Sequence, residues 1–302
     1  MKLKLNQIMH AKKIEIACAK KEHNIGDLKR MIRDTPPLRS FKKAISGDFG
    51  IIAEIKKRSP SMGEMRRENF DQALDAYNES HVVKAISVIT DSKYFGMDHS
   101  YLLKAKQTTG KPVLKKDFIN SEYAIYQARA YGADAVLLMS SVLQDNETAI
   151  RLISLARELD LDILFEAHND EEIRRIPGVV DIYGINSRNF MSRKKWNLSR
   201  MIDPVRSFLP LPDITIKKTA FSLIDNLPRT AIKVAESGIT SRNIISCVIS
   251  RGYNAALIGT SLLQAPEGVR QAVSAFERAV AESKKMIRVD HLPEKDRVLA
   301  GV

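Results

Sequence analysis

Cysteine is nearly absent from this 302-residue chain, which carries only Cys18 and Cys247. Two thiols so far apart in sequence exclude a disulfide framework and fit reduced cysteines in a cytosolic protein. No metal-ligand spacing links them to the six histidines. The 14 glycines and 11 prolines are too few for a collagen-like or low-complexity chain. No apolar run approaches the roughly 18 residues a membrane-spanning helix needs. Lys and Glu interrupt residues 1–21 too often for a signal-peptide core. These absences leave a cytoplasmic enzyme or binding protein with no membrane association.

Acidic residues are in deficit, but only locally. The formal charge is +12, of which residues 1–48 contribute net +7 and residues 191–229 net +5, so the rest of the chain is neutral. Such patches can attract nucleic acid or an acidic partner. A solvated basic face is the plainer reading, because the interleaved aromatics that stack bases are missing.

From Ile51 onward, short apolar runs alternate with segments of helical period, the pattern of βα units on a parallel sheet. The runs are Ile51–Ile55, Ala85–Ile89, Pro112–Lys116, Ala135–Leu138, Asp162–Glu166, Ile182–Asn186, Ala231–Glu236 and Ala255–Ile258. All seven intervals between their starts leave room for a crossover helix, and one of them, the 49 residues from the start of the sixth run to that of the seventh, is oversized. Asn120–Ser121 and Asp145 are positioned to start helices. The Gly-rich turn of an open nucleotide-binding sheet is missing after the first run, where Lys57-Arg58-Ser59-Pro60-Ser61 stands. The pattern predicts an α/β protein with a (β/α)8 TIM barrel over 49–283. Residues 1–48 read as a helical extension packed on it, broken at Thr35-Pro36-Pro37. An enlarged segment falls at about 191–229, with Trp196, Pro204, Pro210 and Pro212, and a mobile tail at 284–302.

In such a barrel the chemistry sits where strands end. Alternation puts Ile52, Glu54 and Lys56 on one side, and groups Leu114 with Lys116 while sending Lys115 the other way. Glu166, Asn186 with Arg188, and Glu236 end three further runs. A single charge at a strand end is most simply a solvated boundary residue. Two lysines and three glutamates at one mouth are different, since charged groups are kept inside when paired or functional, and they perturb one another's pKa. Glu236-Ser237-Gly238-Ile239 and Gly259-Thr260-Ser261 place small residues where backbone N–H groups can meet an anion.

Taken together, these residues resemble the indole-3-glycerol phosphate synthase family. The similarity rests on Ile52-Ala53-Glu54-Ile55-Lys56-Lys57-Arg58-Ser59-Pro60-Ser61, on Ser87-Val88-Ile89-Thr90-Asp91 with Tyr94-Phe95, and on Pro112 to Phe118. It continues through Gly132-Ala133-Asp134, Gly184 to Arg188 and Glu236 to Ile239, and spans about Leu5 to Glu277. The resemblance implies ring closure, decarboxylation and dehydration of 1-(2-carboxyphenylamino)-1-deoxyribulose 5-phosphate in tryptophan biosynthesis, with no metal and no cofactor. It implies Lys116 as general acid, Glu166 as the acid–base group of the dehydration, Glu54 tuning both lysines, and Asn186 holding polar substrate atoms. Lys56, Arg188 and Ser59 would face the carboxylate, and Glu236 a sugar hydroxyl. Ser237, Gly238, Gly259 and Thr260 would hold phosphate, while Phe95, Phe118 and Leu138 would wall the aryl ring. The chain departs from the family at Asn189, where Asp is usual, and at Phe190, where Leu is usual. Its expected partner is the phosphorylated small molecule, in a monomer or weak homodimer; a non-catalytic phosphate- or nucleic-acid-binding barrel is the alternative.

Overall fold

The computed structural model describes residues 5–175, 178, 180–188 and 220–290. Three helices precede the first strand: α1 (Leu5–Glu22), α2 (Ile25–Asp34) and α3 (Phe41–Ile45). Asn24 opens α2 with a reciprocal capping box, its side chain taking the Asp27 N–H while Asp27 takes the Asn24 N–H. The strands follow as β1 (Gly50–Ile55), the short β2 (Arg58–Ser59) and β3 (Gly63–Glu64), β4 (Val83–Ile89), β5 (Val113–Lys116), β6 (Ala135–Met139), β7 (Asp162–Ala167), β8 (Ile182–Asn186), β9 (Ile232–Glu236) and β10 (Ala255–Ile258).

Apart from β2 and β3, the strands are parallel and close into an eight-stranded barrel in the order β1-β10-β9-β8-β7-β6-β5-β4. Each matches its predicted run to within two residues. The exception to prediction is the β2–β3 ribbon, a two-residue antiparallel pair in the loop after β1. Among the described residues, the crossovers contain α4 (Arg67–Glu79), α5 (Ser92–Phe95), α6 (Ser100–Thr108), α7 (Glu122–Ala130), α8 (Asn146–Glu158), α9 (Asp170–Arg175) and α10 (Arg242–Ser250), and α11 (Thr260–Leu263) and α12 (Val269–Asp290) follow the last strand. Asp145 caps α8 by accepting the Glu147 and Thr148 N–H groups. Helix α12 runs past Lys284 to Asp290, so the boundary expected at 284 falls inside a helix. Most of the enlarged 191–229 segment, with Asn189, Phe190, Trp196, Pro204, Pro210 and Pro212, lies outside the described residues, as do 291–302.

Alternation along the strands divides the core in two. Val88, Val136, Phe165 and Ala235 point outward and pack against helix residues such as Leu102, Ile125, Leu152 and Ile245. Ile52, Leu114, Leu137, Leu164, Val234 and Leu257 point inward and fill the barrel. Phe41 and Ile45 of α3 join this inner cluster beside Ile182, Ile232 and Ala255, near the strand N-termini, so α3 plugs the base. Ile8 of α1 enters the same cluster with Phe95, Phe118 and Met139, near the strand C-termini. The segment before β1 therefore reaches both ends of the barrel.

Candidate active site

Above the aliphatic filling, the inward positions change character. Glu54, Lys56, Lys116, Glu166, Asn186 and Glu236 all stand at strand C-termini, and all are buried except Lys116, whose side chain is 18% exposed. Their register is set by the ladder. In parallel pairing, residues side by side point the same way, so Met139 beside Glu166 and Asn186 beside Glu236 share the inner face. Two glycines make room: a Cβ on Gly184 would collide with the Glu236 carboxylate, and one on Gly259 with that of Glu54. The mouth can hold both acids only because those neighbours lack a side chain.

Lys116 is the centre of this layer. Its Nζ is 3.2 Å from Glu166 Oε2 and 3.3 Å from Glu236 Oε2. Lys56 pairs with Glu54 alongside. Burial disfavours the Lys116 ammonium, but Glu166, Glu236 and Glu54 outweigh it and hold the amine above its ordinary pKa. Lys116 is therefore charged throughout the neutral range. The two carboxyls beside it part company. Burial and the neighbouring Glu166 push Glu236 up to about 8. For Glu166, burial is overcome by Lys116 and His168, with Glu236 and Asn186 in hydrogen-bonding reach, and its carboxyl is held below the usual range. One ammonium between two acids thus leaves one ionised and one protonated near neutrality, the division of labour that acid–base chemistry uses.

Sequence reasoning missed a second tier of charge behind the first. His168, two residues beyond Glu166 and on the same face by alternation, places Nε2 3.3 Å from Glu166 Oε1, an ion-pair distance without hydrogen-bond alignment. Its Nδ1 is 2.9 Å from Glu172 Oε2. The strand's period of two, carried two residues further, was the available signal.

A further cluster lies beneath α1. Lys12 is buried, with Nζ 2.8 Å from Asp117 Oδ1, 2.9 Å from Glu15 Oε1 and 3.6 Å from Asp91 Oδ2. Thr90 Oγ1 donates to Asp117 Oδ2 at 2.8 Å, and Lys115 Nζ, pointing outward, is 3.6 Å from the same oxygen. Burial would raise the Asp117 carboxyl, but Lys12 and Lys115 bring it down to about 2. Glu15, His99 and Asp117 lie close enough together to take a cation. The Lys12 ammonium bonds both of those carboxylates.

The loops after the last strands are locked to one another. Ser237 and Gly238 both adopt positive φ, +64° and +71°, a conformation costly for serine. Ser187 Oγ donates to the Ser237 carbonyl at 3.0 Å, and Ser261 Oγ to that of Ile239 at 2.8 Å. Thr260 begins α11 immediately after Gly259. Next to them, in the loop after β1, the neighbour of β10, Ser59 is buried and accepts the Met62 N–H at 3.1 Å. Arg188 is exposed and reaches across to Ser61 Oγ at 3.4 Å, joining the loops after β1 and β8.

The barrel thus brings Glu54, Lys56, Lys116, Glu166, Asn186 and Glu236 to one mouth, with Phe95 and Phe118 in the inner cluster. Leu138 is the correction. It sits beside Phe165 in the ladder and belongs to the outer cluster, facing the helices. The inward residues of β6 are Leu137 and Met139, so the reading was out of register by one residue.

Comparison with known proteins agrees with this geometry. Residues 5–199 match the family model described as indole-3-glycerol phosphate synthase. Among curated relatives of that description, the chain is 34% identical to one from Bacteroides thetaiotaomicron over 268 residues, covering 88% of this chain and 95% of that one. It is also 34% identical to one from Caldanaerobacter subterraneus subsp. tengcongensis over 269 residues, covering 87% and 94%. Among solved structures, the 3-hexulose-6-phosphate synthase from Salmonella typhimurium superposes with a TM-score of 0.53 at 11% identity, covering 78% of this chain and 100% of that one. A structure described as "Native KDPGal structure" gives 0.52 at 14% identity, covering 80% and 98%. Those two likenesses concern the barrel alone. The sequence relatives carry more weight, and with the charged mouth they lead to one conclusion: this chain belongs to the indole-3-glycerol phosphate synthase family.

Proposed function

We propose that the mouth closes the indole ring of 1-(2-carboxyphenylamino)-1-deoxyribulose 5-phosphate, releasing CO2 and water and leaving indole-3-glycerol phosphate. The observation that carries this reading is Lys116, charged and held between two carboxyls of opposite protonation at the open end of the barrel. As the carboxylate-bearing aromatic carbon attacks the ketose carbonyl, the developing alkoxide needs a proton, and Lys116 Nζ supplies it. The C–C bond to the carboxylate then breaks, its electrons restoring the aromatic ring as CO2 departs. Loss of the hydroxyl as water, pushed by the ring nitrogen and completed by a second proton from Lys116 once solvent has recharged it, is followed by removal of a proton from the new five-membered ring, the task of the ionised Glu166.

The remaining groups position. Lys56, kept in place by Glu54, faces the substrate carboxylate with Ser59 and Arg188; Asn186 and the protonated Glu236 bond the hydroxyls. The paired positive-φ residues Ser237 and Gly238, with Gly259 and Thr260, hold the phosphate through backbone N–H groups. Phe95 and Phe118 flank the aryl ring. The reaction needs no metal or organic cofactor. In this reading the chain works in the cytoplasm as a monomer or weak homodimer, without nucleic acid; no described helix is long and apolar enough to cross a membrane.

The test is a fluorescence assay for indole product with the purified full chain and the synthetic substrate. Wild type forms product, and Lys116→Met lowers kcat by about 10²–10⁴-fold, the usual contribution of a positioned proton donor. Borohydride added with substrate traps no lysine adduct. Retention of short RNA at physiological salt with no product would replace this reading by a binding barrel; near-normal turnover in Lys116→Met would remove the acid from its role.

A further inference from the structure

Glu166 has two oxygens with different neighbours. Oε2 faces Lys116; Oε1, turned away from it, has His168 Nε2 at 3.3 Å and no hydrogen-bond partner among the described residues. The imidazole is itself clasped from behind. Glu172 Oε2 takes the His168 backbone N–H at 3.0 Å and lies 2.9 Å from Nδ1. Glu172 is fixed in turn: its Oε1 accepts from Asn169 Nδ2 at 3.1 Å, its N–H donates to Asn169 Oδ1 at 2.9 Å, and its carbonyl accepts Ser140 Oγ at 3.1 Å. A carboxylate so anchored claims the Nδ1 proton and sets the tautomer, as the carboxylate behind a metal-ligating histidine does. The state of Nε2 then decides what Glu166 meets. A neutral ring would aim its lone pair at Oε1; a charged ring would present an N–H.

We propose that His168, anchored by Glu172, is a positioning residue for the reaction: as an imidazolium it holds Glu166 Oε1, keeping that carboxylate ionised and its other oxygen turned toward the barrel axis. The proposal rests on Glu166 being the acid–base group. The charged groups around the ring favour its cationic form. Glu172 on α9, with Arg175 of the same helix acting on it, stands on one side. Glu166 on β7 stands on the other, backed by Glu236 on β9, Lys116 on β5, Glu54 on β1 and the neutral Asn186 on β8. Burial alone would drive the proton off, and the ionised Glu172 and Glu166 outweigh it, so the imidazole titrates above its ordinary 6.5. The ring thus stores a positive charge that neither touches substrate nor leaves the site.

Two substitutions separate this role from packing. Gln at 168 keeps an N–H donor for Glu166 without charge, and Gln at 172 keeps an acceptor for Nδ1 while removing the anion that holds the ring protonated. In His168→Gln the acidic limb of the kcat/KM profile, set by Glu166, moves up by about one pH unit, the size of a lost neighbouring charge; in Glu172→Gln the ring is still charged at so acid a pH, the limb stays, and the variant is read from the ring's own midpoint. Because Glu166 is held below the usual carboxyl range, the rate of His168→Gln falls on the order of tenfold only below about pH 4, with little change near pH 7. In His168→Gln, a loss equal at every pH or an unmoved limb overturns the proposal. A second measurement needs no turnover: NMR titration of the His168 ring in the full chain gives a midpoint above 6.5 in wild type, lowered in Glu172→Gln and in Glu166→Gln. A wild-type midpoint at or below 6.5 overturns the proposal even if the variants do not fold. Inactive wild-type protein with the raised midpoint intact would instead count against Glu166's assigned reaction, leaving the clasp in place.

Discussion

Glu236 is a carboxyl that folding keeps protonated, and this has a sign. Its native pKa, raised to about 8, exceeds the ordinary glutamate value near 4.3. Between those limits the native state binds more protons than the unfolded chain. The stabilisation is complete below about pH 4 and is lost as pH rises through 8. In Glu236→Gln the neutral side chain is permanent. Its melting temperature should match wild type near pH 5 and exceed it by about 3 °C or more near pH 9, as scanning calorimetry at the two pH values would measure. A constant difference between the variants would mean that Glu236 is ionised throughout. The same scale exposes what sequence could not supply. Glu54, Lys56, Lys116, Glu166, Asn186 and Glu236 were legible because each ends a β-branched or apolar run, where alternation fixes the inward face. Leu138 was misread because Leu137, Leu138 and Met139 are all apolar, and hydrophobic neighbours on both faces carry no phase.

Among the elements, α1 is held by charge as well as by apolar contact. Lys12 threads into the Asp117, Asp91 and Glu15 cluster immediately beside the strand end that carries Lys116. Because folding lowers Asp117 to about 2 from near 3.9, its contribution is present above about pH 4 and drains away as pH falls toward 2. Removing one partner of a buried pair leaves the other uncompensated, at about 3–5 kcal/mol. Lys12→Met should therefore lower stability by that order in urea melts and speed hydrogen exchange in α1 and around Phe118. Unchanged protection there would show that Ile8 alone seats the helix. Nothing in sequence marked Lys12 among so many lysines, since burial of a charge depends on partners that arrive from β4 and β5. The eight barrel strands were readable for the opposite reason, being buried on both faces. The β2–β3 ribbon was not, because two residues cannot show a period. Helix α12 outran its expected end because Lys284 and Lys285 are good helix formers read as a polar tail.

On the scale of the whole molecule, the barrel separates its duties. The mouth holds charge in strained and crowded loops, whereas the base is closed by Phe41 and Ile45 against Ile182, Ile232 and Ala255. Conservation of shape at the base is a matter of stability, and chemistry belongs to the other end. Phe41→Ala should cost about 3–5 kcal/mol, seen as a lower urea midpoint, while kcat/KM at 25 °C stays within about twofold of wild type for the folded fraction. A large loss of kcat/KM would mean that the plug transmits its position to the mouth.

The residues before β1 find their partners well downstream: Lys12 meets Asp117, Arg39 donates its backbone N–H to Asp134, and Phe41 shares a cluster with side chains as late as Ile232 and Ala255. During synthesis, which proceeds from the N-terminus, this stretch leaves the ribosome ahead of the barrel strands, and its seat is complete only once β9 and β10 have followed. A segment made ahead of the barrel is thus obliged to wait, its apolar face uncovered, until the last strands have closed the ring.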